Sequence, residues 1–440
     1  MASGNASSST GYLVPGGAPG TPGFRVTDHT VTVPLDHADP SGPTLEVFAR
    51  EVTSLARAGA DLPWLVFLQG GPGARSPRPA GPGGSWIAAA AKHHRVLLLD
   101  QRGTGRSTPI SAATVAGMPG GDAGLAAYLR HFRADSIVAD CEVLRREVAG
   151  GERWYTLGQS YGGFCTMTYL SQAPEGLAGC YVTGGLPGLT ATADEVYART
   201  LPRVAAKNAA FYARYPADTA AVRRIADHLD GTDVRLPDGA RLTTRRLRLL
   251  GNAFGMSDGY ELLHWLLETA WHGDRLSAGF RHQVMALTGL VDTPLFAMQE
   301  YTYGQPGSGP TRWAAQRAIE QRPEFAADAD PLLFTGETMF PWMFEDIAAL
   351  RPFRGAADLL AAYDDWPPLY DLDRLTANEV PVAAVVYHDD MYVDADLSLE
   401  TAARVGNVRA WVTNEYEHDG LRVDPERVLG RLRDRLLGPA

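Results

Sequence analysis

Apolar and polar positions alternate in two stretches near the start of the chain. "FRVTDHTVTVPLDH", beginning at Phe24, reads as a strand with one face turned inward and one toward water, and "LEVFAREVTS" as its hairpin partner. The pattern then changes to short, continuous apolar runs. These are "LPWLVFL" ending at Leu68, "HRVLLLD" at Asp100, "RWYTLG" at Gly158 and "LAGCYVTGG" at Gly185. Runs of this length bounded by glycine fit strands covered on both faces, as in a parallel sheet. Helical periodicity falls between them. "ADSIVADCEVLRREV" places Ile137, Cys141, Leu144 and Val148 on one face, and "YGGFCTMTYLSQAP" stops at Pro174. Strand alternating with helix predicts an α/β protein with a mostly parallel, doubly wound sheet.

From about Thr190 to Thr376 the buried-strand pattern disappears, and segments such as "ELLHWLLETAW" and "RWAAQRAIEQ" read as helices. "VPVAAVVYHDD" and "VRAWVTNEYEHDG" resume the strand pattern, and "PERVLGRLRDRLL" closes it with an amphipathic helix. The expected division is a flexible tail over 1–24, a first part of the sheet domain over 25–189, a helical cap over 190–376, and the rest of the sheet domain over 377–440.

Composition narrows the function classes. The 440 residues are 45% hydrophobic and 21% charged, as in an ordinary soluble globular protein. A formal net charge of -11 leaves no basic surplus for phosphates, so a nucleic-acid partner is not expected. Cys141, Cys165 and Cys180 are too few and wrongly spaced for a disulfide framework or a zinc site, and read as small core residues. No apolar run reaches the length of a membrane span, and the first residues lack the pattern of a secretory signal. The expectation is a cytoplasmic protein without membrane contact.

One motif carries chemistry. "GQSYG", Gly158 to Gly162, fits Gly-x-Ser-x-Gly between a strand and a helix, the setting of a nucleophile elbow. Ser160 is then the nucleophile. The bland alternative is a helix-capping serine. This architecture supplies its triad in the order Ser, acid, His, which points to His418, after the last strand, as the base. His388 is the near competitor, but it precedes the candidate acids. Asp389, Asp390, Asp394 and Asp396 follow the preceding strand. Asp390 is the choice for the acid, with Asp389 second, while Asp394 and Asp396 suit solvent or a helix cap. An oxyanion hole requires backbone N–H donors. Tyr161 supplies one, and Gly71 in the loop "QGGPG" the other.

The motifs "GGPG", "DQRGTGRS" and "GQSYGG" together resemble the proline iminopeptidases, serine peptidases of the α/β-hydrolase fold with a helical cap. "QEYTYG", "FTGETMFPWMFE", "DDMYVD" and "WVTNEYEHDG" are similar to segments of the larger bacterial form, so the resemblance covers nearly all the chain except the tail. Gln69 departs from it, since many relatives have His there; the position contributes mainly backbone. The resemblance implies removal of an N-terminal residue, preferably proline, from a peptide with a free N-terminus. It implies no cofactor and no metal. It also implies that cap glutamates bind the substrate amine, with Glu300 matching the first and Glu337 a second. Asp100 and Arg102 of "DQRGTGRS" are expected to pair within the scaffold. An esterase or amidase acting on uncharged small molecules, a di- or tripeptidyl aminopeptidase, and a catalytically inactive binding module are the competing readings.

Overall fold

The computed structural model describes residues 21–81 and 83–438. Residues 1–20 of the expected tail lie outside that range. Of the remainder, Phe24 already opens the first strand and is buried. Eight strands form one sheet: β1 (Phe24–Pro34), β2 (Thr44–Ser54), β3 (Trp64–Leu68), β4 (Arg95–Leu99), β5 (Trp154–Gln159), β6 (Leu177–Thr183), β9 (Val382–Tyr387) and β10 (Val408–Thr413). Two further strands, β7 (Trp271–His272) and β8 (Arg275–Leu276), make a separate two-residue hairpin.

The sheet order is β1-β2-β4-β3-β5-β6-β9-β10. β1 pairs antiparallel with β2, and β2 with β4; every other neighbour is parallel. The continuous apolar runs follow from coverage of both faces. In β3, Trp64, Val66 and Leu68 join one core, while Leu65 and Phe67 join the other. The first core packs under the helices Ala134–Val148 and Tyr161–Gln172. The second packs under Trp86–Ala90 and Pro425–Leu437. Ile137, Cys141 and Leu144 point into the first core, as their spacing predicts, and all three cysteines are free and buried.

Between β6 and β9 the described residues contain helices, short 3-10 turns and the β7–β8 hairpin. The long helix Ala193–Arg214 runs from this segment over the end of the sheet, capped by Thr192, whose hydroxyl accepts from Glu195 N. Among the described residues no helix is long and apolar enough to cross a membrane.

Arg102 and Asp140 form a fully buried ion pair, with Nε to Oδ2 at 2.7 Å and Nη2 to Oδ1 at 2.6 Å. Arg102 also donates to the carbonyls of Leu35 and His131, which fastens the antiparallel edge of the sheet to its helical layer. Asp100 pairs with Arg78 at 2.6 Å and accepts the amides of Ser76 and Arg106. These two residues therefore pair with other scaffold groups rather than with each other.

Candidate active site

Ser160 stands between β5 and the helix Tyr161–Gln172, with φ 54° and ψ −125°. A non-glycine residue held there stores strain, which persists because the surroundings fix it. Ser160 N donates to Thr183 O at 3.0 Å on β6, and Ser160 O accepts from Gly163 N at 2.7 Å. The glycines around it are required by close approach. A Cβ on Gly162 would lie 1.8 Å from Leu68 O, and one on Gly158 would lie 2.4 Å from Gly162 O. Gly163 is equally constrained, 2.2 Å from Gly185 O by the same measure. Ser160 itself is only partly buried, so its hydroxyl stays reachable.

Asp390 lies three residues past β9 and His418 five past β10, so all three expected residues stand beyond the C-terminal ends of parallel strands, where open α/β sheets form their sites. His418 Nδ1 donates to Asp390 Oδ2 at 2.6 Å, and both side chains are almost wholly buried. The other Asp390 oxygen accepts the amides of Tyr392 at 2.8 Å and Val393 at 3.1 Å, which fixes the carboxylate. Burial alone would lower the His418 pKa, but the charge and hydrogen bond of Asp390, helped by Glu337 and Asp419, raise it above the usual histidine range. Gly184 and Gly185 stand beside His418 and Ser160 respectively. A Cβ on Gly184 would lie 3.1 Å from His418 Cε1, and one on Gly185 would lie 2.3 Å from Ser160 O.

The alternatives sit elsewhere. Asp389 is exposed and bonds His388 Nδ1 at 2.8 Å, and His388 is exposed too. Asp394 is buried, caps the helix Ala395–Arg404 and pairs with Arg203. Asp396 is exposed.

The "QGGPG" loop follows β3, the neighbour of β5 in the sheet. A Cβ on Gly70 would lie 2.9 Å from Ser160 Cβ, so the backbone at Gly70 runs directly against the serine. Gly71 has φ +119°, a region open to glycine. Tyr161 begins the helix that Ser160 precedes, so its amide is one of the first-turn N–H groups free of intrahelical partners by geometry.

Glu300 and Glu337 both lie in the segment between β6 and β9. Glu300 is 3% exposed, and its two oxygens accept the amides of Ala314 and Ala315, each at 2.9 Å. Burial pushes its carboxyl up to about 7, against the lowering effect of the Ala315 and Ala314 amides, Thr311 and Arg317. Glu337 is half-buried, and burial pushes it to about 7 as well, against a hydrogen bond from Gln299 and attraction to His418; Asp390 adds to the rise. Among the described residues neither has an ion-pair partner. Both raise the hydroxyl pKa of Tyr197 and of Tyr303 by their charge, and Glu337 also acts on His418.

Spacing does not select among the aromatic residues of this segment. Phe254 and Phe334 pack with Phe211 in the interior, and Tyr301 donates to Phe132 O and stacks on Trp366. Tyr303 differs: half-buried, it meets Phe164 of the serine-bearing helix edge-on at 6.2 Å and lies near both glutamates. Tyr392, edge-on to His418 at 4.9 Å, also escaped sequence reading. Its only signal was its place two residues after Asp390.

A family model described as the alpha/beta hydrolase fold matches residues 63–425. A proline iminopeptidase of Aeromonas sobria is 48% identical over 413 residues, covering 93% of this chain and 96% of that protein. A second proline iminopeptidase, from Aspergillus aculeatus, is 32% identical over 421 residues, covering 93% of each chain.

Proposed function

The chain belongs to the proline iminopeptidase family within the α/β-hydrolase fold, and on that premise we propose that it is a serine aminopeptidase releasing an N-terminal residue, preferably proline, from peptides. Ser160 attacks the carbonyl carbon of the N-terminal residue while His418 Nε2 takes the hydroxyl proton. Asp390 holds the imidazole by Nδ1 and stabilises the imidazolium. The amides of Tyr161 and Gly71 receive the oxyanion. His418 then gives its proton to the leaving amine, and water attacks the acyl-enzyme with the same histidine as base. Release of the amino acid restores Ser160.

The observation that carries the substrate class is a pair of carboxylates, buried Glu300 and half-buried Glu337, neither of which has an ion-pair partner among the described residues. An ionised carboxylate in such surroundings is costly until a positive group arrives. The α-ammonium of a peptide is such a group, and its position relative to His418 would set which carbonyl meets Ser160. The helical segment 190–376 serves in this reading as a cap that closes the amine end. Half-buried Tyr303 and buried Phe164 offer an apolar wall suited to a compact ring.

The test is hydrolysis of proline p-nitroanilide beside its N-acetyl derivative, alanine p-nitroanilide and a short acyl ester. Cleavage of free proline p-nitroanilide with none of the acetylated compound is expected. Cleavage of the ester alone would sink the peptidase reading and leave an esterase.

A further inference from the structure

The loop that carries His418 is fastened residue by residue to the segment between β6 and β9. Glu417 is held by Lys207, whose Nζ lies 2.6 Å from both carboxylate oxygens. His418 N donates to Gly255 O at 3.0 Å. Asp419 accepts both the amide and the hydroxyl of Ser257, the latter at 2.6 Å. The acid loop is tied to the same region: Arg203 donates to Asp394 Oδ2 at 2.8 Å and to His388 O at 3.0 Å. Arg203 and Lys207 stand one turn apart on the helix Ala193–Arg214, so a single rigid element grips the loops of both the acid and the base.

Lys207 is the unusual member. Lysine normally keeps its ammonium in water, yet this side chain is only 10% exposed. Its backbone carbonyl accepts from Tyr260 OH at 3.0 Å, which fixes the stem's origin. Glu417 is partly buried, and burial raises its carboxyl pKa in spite of Lys207. Remove the lysine and a carboxylate one residue from the base loses its only ion-pair partner among the described residues. The loop would then gain by turning Glu417 toward water and would carry His418 with it.

We propose that Lys207 is a positioning residue for His418, acting through Glu417 from the helix Ala193–Arg214. The proposal rests on His418 being the base that serves Ser160. Misplacement of a catalytic group by about 1 Å can cost about a hundredfold in rate. The loss would appear in the chemical step on every substrate, because the base serves all of them.

The experiment measures kcat and KM for proline p-nitroanilide, kcat for a short acyl ester, and the rate of Ser160 modification by a fluorophosphonate, all per folded molecule. Lys207→Met is expected to lower kcat on both substrates, and the modification rate, by roughly ten- to a hundredfold, with KM within about twofold. Lys207→Arg should recover most of the loss, since it restores the ion pair. The Lys207→Met/Glu417→Gln double variant should be no slower than Lys207→Met alone, as expected for two members of one coupling. It also serves if the single variant does not fold. Unchanged kcat per folded molecule, or a loss confined to KM or to the proline substrate, would overturn the proposal. Ser160→Ala is run alongside: turnover surviving there would show that the catalytic reading itself has failed, and the positioning role falls with it.

Discussion

At the scale of single residues, the doubled aspartate illustrates how surroundings divide two identical side chains. Asp390 is buried, amide-bound and 2.6 Å from the His418 ring, whereas the Asp389 carboxylate bonds its exposed neighbour His388. Asp390→Asn should therefore reduce kcat by about 10⁴-fold, because the amide favours the wrong imidazole tautomer. Asp389→Asn should stay within about twofold in the same assay. Glu337 gives a prediction in pH. As the proposed base, His418 works only when neutral, and its pKa is raised, so activity is expected to be lost as pH falls through a value above the ordinary histidine one. On the proposed role of Glu337, a free-amine substrate additionally needs that carboxyl ionised, which fails below about 7. Its kcat/KM should accordingly fall more steeply on the acid side than that of an uncharged ester. Glu337→Gln removes a negative charge that raises the His418 pKa, so the acid limb for the ester should move to lower pH. A pH–rate profile of both substrates for wild type and variant checks the sign; an unmoved ester limb would contradict it.

At the scale of elements, the turn from β5 to the helix Tyr161–Gln172 holds together through absent side chains. Leu68 O sits where a Gly162 Cβ would go, at 1.8 Å, and neither backbone can yield without parting β3 from β5. Gly162→Ala should cost roughly 3 kcal/mol or more, through overpacking of a rigid site. Chemical denaturation would register it, and the fraction that still folds should react slowly with a fluorophosphonate because Ser160 has moved.

At the scale of the whole molecule, the Arg102–Asp140 pair joins the antiparallel edge to the helical layer, on the antiparallel side of the sheet rather than the β9–β10 side that carries Asp390 and His418. Arg102→Met would leave the buried Asp140 carboxylate with His37, 2.8 Å away, as its remaining side-chain partner, at a cost of about 3 kcal/mol. The expected result is a marked fall in Tm with kcat per folded molecule unchanged. A fall in kcat instead would mean that the scaffold near β4 communicates with the site. The segment between β6 and β9 behaves differently, since it supplies both glutamates and also grips the loops that carry Asp390 and His418.

Periodicity sufficed for the sheet, because strands buried on both faces leave continuous apolar runs such as Trp64–Leu68 and Val382–Tyr387. The strand–serine–helix turn at Ser160 was legible for the same reason: its glycines, strand and helix are all local in sequence. Chain order sufficed to select Ser160 and His418 as candidates. Spacing could not separate Asp390 from Asp389, since one residue of offset turns a side chain from the interior to water, and only the packed loop fixes which one turns inward. Nor could it find Lys207. An ion pair between residues 210 positions apart leaves no mark in either local sequence, and lysines and glutamates are ordinarily surface residues. The carboxylate surroundings of Glu300 and Glu337 likewise exist only after folding, because burial, not residue type, raises their pKa. What the sequence determined is the local pattern that makes each element and turn. What the tertiary structure decided is which polar groups leave water and what meets them there, and that depends on contacts between distant parts of the chain.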